Sequence, residues 1–187
     1  MNLRQLPNTI TGLRLAMAPV LLGLLVAGHY RVALVLALVA GLSDALDGWL
    51  AKRFGWQTRL GSLLDPVADK ALLGCAVAGL WLAGALPGSL ALLVAARDVV
   101  IIGGAIAWWR MAGPFDGRPS LVSKLTTDAQ VLLVLGCLVE LAGLIPAMGW
   151  WRGLAKPIVA ALTVASGADY VIRYGVKAWR HPRKAPA

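Results

Sequence analysis

Asp44-Ala45-Leu46-Asp47-Gly48-Trp49-Leu50-Ala51-Lys52, followed after eight residues by Gly61-Ser62-Leu63-Leu64-Asp65-Pro66-Val67-Ala68-Asp69, holds four of the nine acidic residues of the chain. The surrounding sequence is so apolar that carboxylates ought to be scarce: 59% of its 187 residues are hydrophobic, and the mean hydropathy is +0.73. On helices, spacings of three and four place each pair of aspartates on one face. Two such faces turned toward each other make an oxygen-lined cage, the kind of site that hard divalent cations occupy. Gly48 and Gly61 lie beside these acids, where a missing side chain lets a ligand or a second helix approach the backbone. Asp65-Pro66 reads as a helix start, with the aspartate near the N-cap and the proline in the first turn.

The apolar runs set the fold class. A membrane-crossing helix needs roughly 20 residues, and runs of about 18 or more largely apolar residues are candidates. Six can be drawn, over residues 11–28, 32–51, 62–85, 89–109, 120–144 and 153–175. The expectation is an all-α integral membrane bundle of six transmembrane helices forming a single domain over 1–187. A short interfacial segment, residues 1–10, should precede it. A soluble bundle would need polar outer faces, and stretches such as 31–39 and 71–85 have almost none. The first apolar run is broken by Arg14 and lacks a clean small-x-small cleavage site, so it reads as a retained span and not a leader.

The net charge of +9 could suggest nucleic acid, but no nucleic-acid motif is present. The basic residues fit membrane topology and anionic head groups instead. Arg4, Lys52, Arg53, Arg59, Arg110, Arg118, Arg180, Arg183 and Lys184 fall on one side of an even number of spans. Arg31, Arg152 and Lys156 fall on the other. Both termini are therefore expected on the cytoplasmic side, with the four aspartates at the cytoplasmic ends of spans two and three. Trp108, Trp109, Trp150, Trp151 and Trp179 near span ends form an expected interfacial belt. Cys75 and Cys137 sit in apolar runs without a CxxC partner and read as small buried hydrophobes.

The stretch from Asp44 to Asp69 resembles the signature of the CDP-alcohol phosphotransferase family, D-x2-D-G-x2-A-R-x8-G-x3-D-x3-D. Every spacing agrees. Lys52 stands where the family carries arginine; it keeps the charge but lacks the bidentate fork. The resemblance implies transfer of a phosphoalcohol group from a CDP-linked donor to an acceptor hydroxyl, with release of CMP. It implies that Asp44, Asp47 and Asp65 hold divalent metal, two Mg²⁺ or Mn²⁺ ions, with Asp69 close enough to share a ligand role and acting as general base. Gly48, Ala51 and Gly61 would shape the nucleotide pocket, and Lys52 would lie near the donor phosphates. The physical account is independent of the resemblance, because phosphoryl transfer needs mainly charge neutralisation and positioning. The resemblance also implies a homodimer.

Secondary features point toward the acceptor. Pro7-Asn8-Thr9-Ile10-Thr11 followed by Arg14 resembles the N-terminal segment of bacterial phosphatidyltransferases of this family; its polar residues could equally serve a helix start. Arg97 and Asp98 lie deep in span four, where as adjacent residues they should not face each other, so each needs another partner. An acceptor phosphate or a salt bridge to another span would serve Arg97. Ser123 and Lys124 sit at the start of span five, in a hydroxyl-rich stretch that runs through Thr126 and Thr127 to Gln130. With Arg118 they suit an anionic acceptor. That segment resembles the branch making phosphatidylglycerophosphate and cardiolipin. The expected enzyme is thus a bacterial inner-membrane phosphatidyltransferase joining CDP-diacylglycerol to glycerol-3-phosphate or phosphatidylglycerol. The alternatives are an intramembrane prenyltransferase, a cation transporter, and structural carboxylates paired with Lys52, Arg53 and Arg59.

Overall fold

The computed structural model of the chain describes residues 6–54, 59–112, 120–146 and 149–180. These form six helices and, among the described residues, no strand: α1 (Leu6–Val26), α2 (Tyr30–Phe54), α3 (Arg59–Leu82), α4 (Gly88–Ala112), α5 (Leu121–Leu141) and α6 (Gly149–Arg180). Each apolar run of the sequence thus becomes one helix. Four of them contain stretches long and apolar enough to cross a bilayer: Thr9–Val26, Gly88–Ile106, Leu121–Leu141 and Gly153–Arg173. The helices that carry the aspartates, α2 and α3, are not among these four.

Two local expectations are corrected. Residues 6–10 are the opening turns of α1 and not a separate interfacial segment. Pro7 falls in the first turn, where its missing N–H has no intrahelical partner to lose, so the helix can begin upstream of the polar run. Asp65-Pro66 does not start α3 either. The helix begins at Arg59 and Pro66 lies inside it. Proline there withholds one amide from the ladder, and the flanking apolar residues carry the helix through.

The helices group into two compact units: residues 1–87 with 134–147, and residues 88–133 with 148–187. In the first, α1 packs most extensively on α3 and then on α2. Its buried stripe is Thr11, Arg14, Ala18, Leu21 and Leu25, spaced alternately by three and four as one helix face requires. Against it lie Ala68, Ala76 and Leu80 of α3, also buried. Lipid tails are as apolar as leucine, so close fit holds such helices together more than water exclusion does. Gly79 shows the fit: a Cβ added there would sit 2.5 Å from Leu25 Cδ1. Helices α1, α3 and α5 end within this unit on left-handed glycines, namely Gly28, Gly84 and Gly143 with φ of 78°, 75° and 71°. Each is followed by an amide bonded five residues back, as from His29 to Leu24, Ala85 to Leu80 and Leu144 to Val139, the helix-ending motif glycine favours.

In the second unit α4 packs on α6, and Tyr170 lies so close over Gly104 that a Cβ there would meet its ring at 2.7 Å. Large apolar side chains face outward in both units; Leu42, Leu92, Val99 and Ile172 are all more than 60% exposed, which suits lipid and not water.

Candidate active site

The buried stripe of α1 is apolar from Ala18 onward and polar above it, and that polar end gathers the signature. Arg14 Nη1 is 2.5 Å from Asp44 Oδ1 on α2 and donates a hydrogen bond to Asp69 Oδ1 on α3 at 2.8 Å. Thr11, one turn earlier, donates to Asp65 Oδ1 at 2.6 Å. Three carboxylates from two helices are therefore tied together by a third helix. The Arg14 side chain is 1% exposed, whereas those of Asp44 and Asp69 are 47% and 51% exposed. The cation is rooted in the protein and the anions open outward.

Beside them on α2, a Cβ added to Gly48 would meet nothing within 4 Å, so the backbone there is approachable. The side-chain surroundings of Asp47, Ala51, Lys52 and Gly61 lie outside the described residues, as does Arg118 altogether. Among the described residues no three His, Cys, Asp or Glu side chains form a group able to hold a metal ion. The donor chemistry nevertheless fits a hard cation, since Asp44, Asp65 and Asp69 offer only carboxylate oxygen. Among the described residues the partner of Asp44 and Asp69 is Arg14; of the basic loop cations considered from sequence, the side chains of Lys52 and Arg59 lie outside the described residues.

The expected acceptor residues meet each other in the second unit. Arg97 is 7% exposed. Its Nη2 donates to Ser123 Oγ at 2.6 Å and to Ser166 Oγ at 3.0 Å, and its Nη1 pairs with Asp98 Oδ1 at 2.7 Å. The last contact corrects the expectation that neighbours on a helix cannot pair. The guanidinium carries its donors far enough from the helix axis to fold back onto the next carboxylate. Lys124 is exposed on α5 and joins none of these contacts.

Residues 4–166 match the CDP-alcohol phosphatidyltransferase family. The chain belongs to that family. A rice chloroplastic CDP-diacylglycerol–glycerol-3-phosphate 3-phosphatidyltransferase is 32% identical, over 90% of this chain and 56% of its own. Human cardiolipin synthase (CMP-forming) is 30% identical, over 92% and 62%. A Mycobacterium tuberculosis protein named "probable phosphatidylglycerophosphate synthase" is 35% identical, over 92% and 82%. The chain thus spans 56% and 62% of the rice and human relatives. With its apolar helices, this family member is an integral membrane protein.

The sequence of this family member singles out Thr11 and Arg14 but gives them no partner. Nor does it show that the hydroxyl-rich start of α5 also grips α6. Gln130 Nε2 donates to Thr163 Oγ1 at 3.1 Å, and Thr126 Oγ1 reaches the Leu162 carbonyl at 3.0 Å. Ser120 caps α5, its Oγ accepting from the Ser123 amide at 3.2 Å. The residues of this cluster that the sequence does not single out are Thr163 and Ser166 on α6. Their usable signal is a spacing of three, which puts two buried hydroxyls on one face of an apolar stretch.

Proposed function

We propose that the protein is a phosphatidyltransferase that joins CDP-diacylglycerol to a glycerol-type acceptor, glycerol-3-phosphate or phosphatidylglycerol. The products would be phosphatidylglycerophosphate or cardiolipin, with CMP. The observation that carries this reading is the convergence of Asp44, Asp65 and Asp69 on Thr11 and Arg14, in the register of the family signature. The names of the rice, human and mycobacterial relatives support the substrates.

Asp44, Asp47 and Asp65 would hold Mg²⁺ or Mn²⁺, with Asp69 at the edge of the set. Such ions neutralise a pyrophosphate and stabilise a departing phosphate. Asp69, half exposed and with one oxygen fixed by Arg14, would take the proton from the acceptor hydroxyl. The acceptor oxygen forms its bond to the donor β-phosphorus as the bond to CMP breaks. Gly48, with open space beside it, would admit the nucleotide, together with Ala51 and Gly61, and Lys52 would face the donor phosphates. Arg97, Ser123, Lys124 and Arg118 are proposed to serve an acceptor phosphate. In that role Arg97 would exchange a serine hydroxyl for a phosphate oxygen.

The full reading has six crossings in one domain, both termini cytoplasmic, a bacterial inner-membrane location and a homodimer. The test is purified protein with Mg²⁺, CDP-diacylglycerol and an acceptor panel, scored by CMP release. Release with glycerol-3-phosphate or phosphatidylglycerol is expected. No release with any acceptor, from protein shown to be folded, would sink the proposal.

A further inference from the structure

Arg14 holds a position that the signature does not explain. A single nitrogen, Nη1, touches Oδ1 of both Asp44 and Asp69, so those two oxygens lie no further apart than its two contacts end to end. A divalent ion seated on the same pair would meet a positive charge already there. The arginine cannot withdraw into water, because its side chain is 1% exposed and lies on the buried stripe of α1. It can yield only by giving up one carboxylate contact.

The charges make the conflict specific. Asp44 and Asp69 share one positive charge, and Asp65 is held by a neutral hydroxyl. Among the described residues, the three carboxylates of Asp44, Asp65 and Asp69 against the Arg14 guanidinium leave a net of about two negative charges, which calls for further cation. One positive charge is enough to keep the carboxylates of α2 and α3 together against their repulsion, and too little to satisfy them. It must also weaken the first divalent ion bound, since like charges a few ångströms apart repel strongly away from bulk water.

We propose that Arg14 is a positioning residue: a built-in counter-cation that keeps Asp44 and Asp69 assembled and lowers their affinity for divalent metal. On metal binding it gives up its contact with either Asp44 or Asp69. This rests on the metal-site reading above.

The test compares wild type, Arg14→Gln and Arg14→Lys as full-length purified protein, with Mn²⁺ binding measured by electron paramagnetic resonance and thermal unfolding in EDTA and in saturating Mn²⁺. Arg14→Gln should unfold at lower temperature in EDTA, recover most of the loss in Mn²⁺, and bind Mn²⁺ on the order of tenfold more tightly. Arg14→Lys, which restores the charge, should fall back toward wild-type affinity. Unchanged or weaker Mn²⁺ binding in Arg14→Gln, with an equal stability loss under both conditions, would make Arg14 a simple structural clamp and overturn the proposal. Wild type that binds no Mn²⁺ would overturn the metal reading itself, a different failure. If Arg14→Gln does not fold, wild type labelled with ¹⁵N on arginine decides. The side-chain signal missing from Arg14→Lys should shift on adding Mg²⁺, and a signal that stays put refutes the exchange.

Discussion

Each of the two compact units is built around one buried arginine, and the two arginines are treated oppositely. Arg14, 1% exposed, serves two carboxylates that are 47% and 51% exposed. Arg97, whose side chain is 6% exposed, serves one carboxylate that is 18% exposed and two serine hydroxyls. Around Arg97 charge is balanced and the group is closed over. Around Arg14, among the described residues, negative charge is in excess and turned outward. Burial of an arginine therefore says little by itself. The sign and exposure of what surrounds it separate a cluster that invites a cation from one whose arginine is already balanced by a single carboxylate, as buried charges are when paired and hydrogen-bonded.

The largest effect expected from this contrast is on turnover. Asp69→Asn keeps the shape and a hydrogen-bond acceptor for Arg14 but loses the basic oxygen. It should lower kcat for CMP release by about 10²–10⁴-fold, the span general-base removal gives, while the folded protein survives purification. The same change beside the other arginine, Asp98→Asn, should leave kcat in its original range. Equal losses at both positions would erase the distinction between the clusters.

Next in size is a stability effect with the opposite weighting. Arg97→Met strands Asp98, Ser123 and Ser166 without their shared donor. Breaking a buried pair this way costs about 3–5 kcal/mol, and the lower end applies because Asp98 is not fully buried. Thermal unfolding in detergent should fall accordingly, and added Mg²⁺ should not restore it. Full recovery in Mg²⁺ would place Arg97 in the metal site and break the comparison.

Much of this contrast is legible in the amino-acid sequence, and the part that is not has a physical pattern. The six helices follow from apolar runs bounded by glycine, and the aspartate register from spacings of three and four, both local properties. The partner of Asp69 is 55 residues away in sequence and that of Asp65 is 54 away; no spacing rule spans such a gap. In the sequence Arg14 is visible only as a charge interrupting an apolar run. Asp65-Pro66 misleads because proline marks a helix start when followed locally, whereas here α3 already runs from Arg59. Arg97 and Asp98 mislead because Cβ directions forbid adjacent contact, but a guanidinium reaches well beyond its Cβ. Ser166 is one of six serines in the chain; its spacing from Thr163 marks a shared face but names no partner, which the guanidinium of Arg97 resting on it at 3.0 Å supplies.

The smallest effect offers the finest discrimination, because each unit has a fully buried threonine whose hydroxyl makes an interhelix bond. Thr11 is 1% exposed and Thr126 is 0% exposed. Thr11 donates to the Asp65 carboxylate, whereas Thr126 is bonded to the carbonyls of Val122 and Leu162. Valine preserves the volume and branching of either, so both substitutions remove little but the hydroxyl. Each should cost about 1 kcal/mol of stability, with Thr11 somewhat higher because its acceptor is charged. The two should part company over metal. Thr11→Val leaves Asp65 without its fixed orientation, and the Mg²⁺ concentration for half-maximal CMP release should rise severalfold, as when an outer partner of a metal ligand is lost. Thr126→Val should leave that concentration where it is. A matching shift in both would mean that metal dependence reads global stability, and the assignment of Asp65 as a ligand positioned by Thr11 would fall.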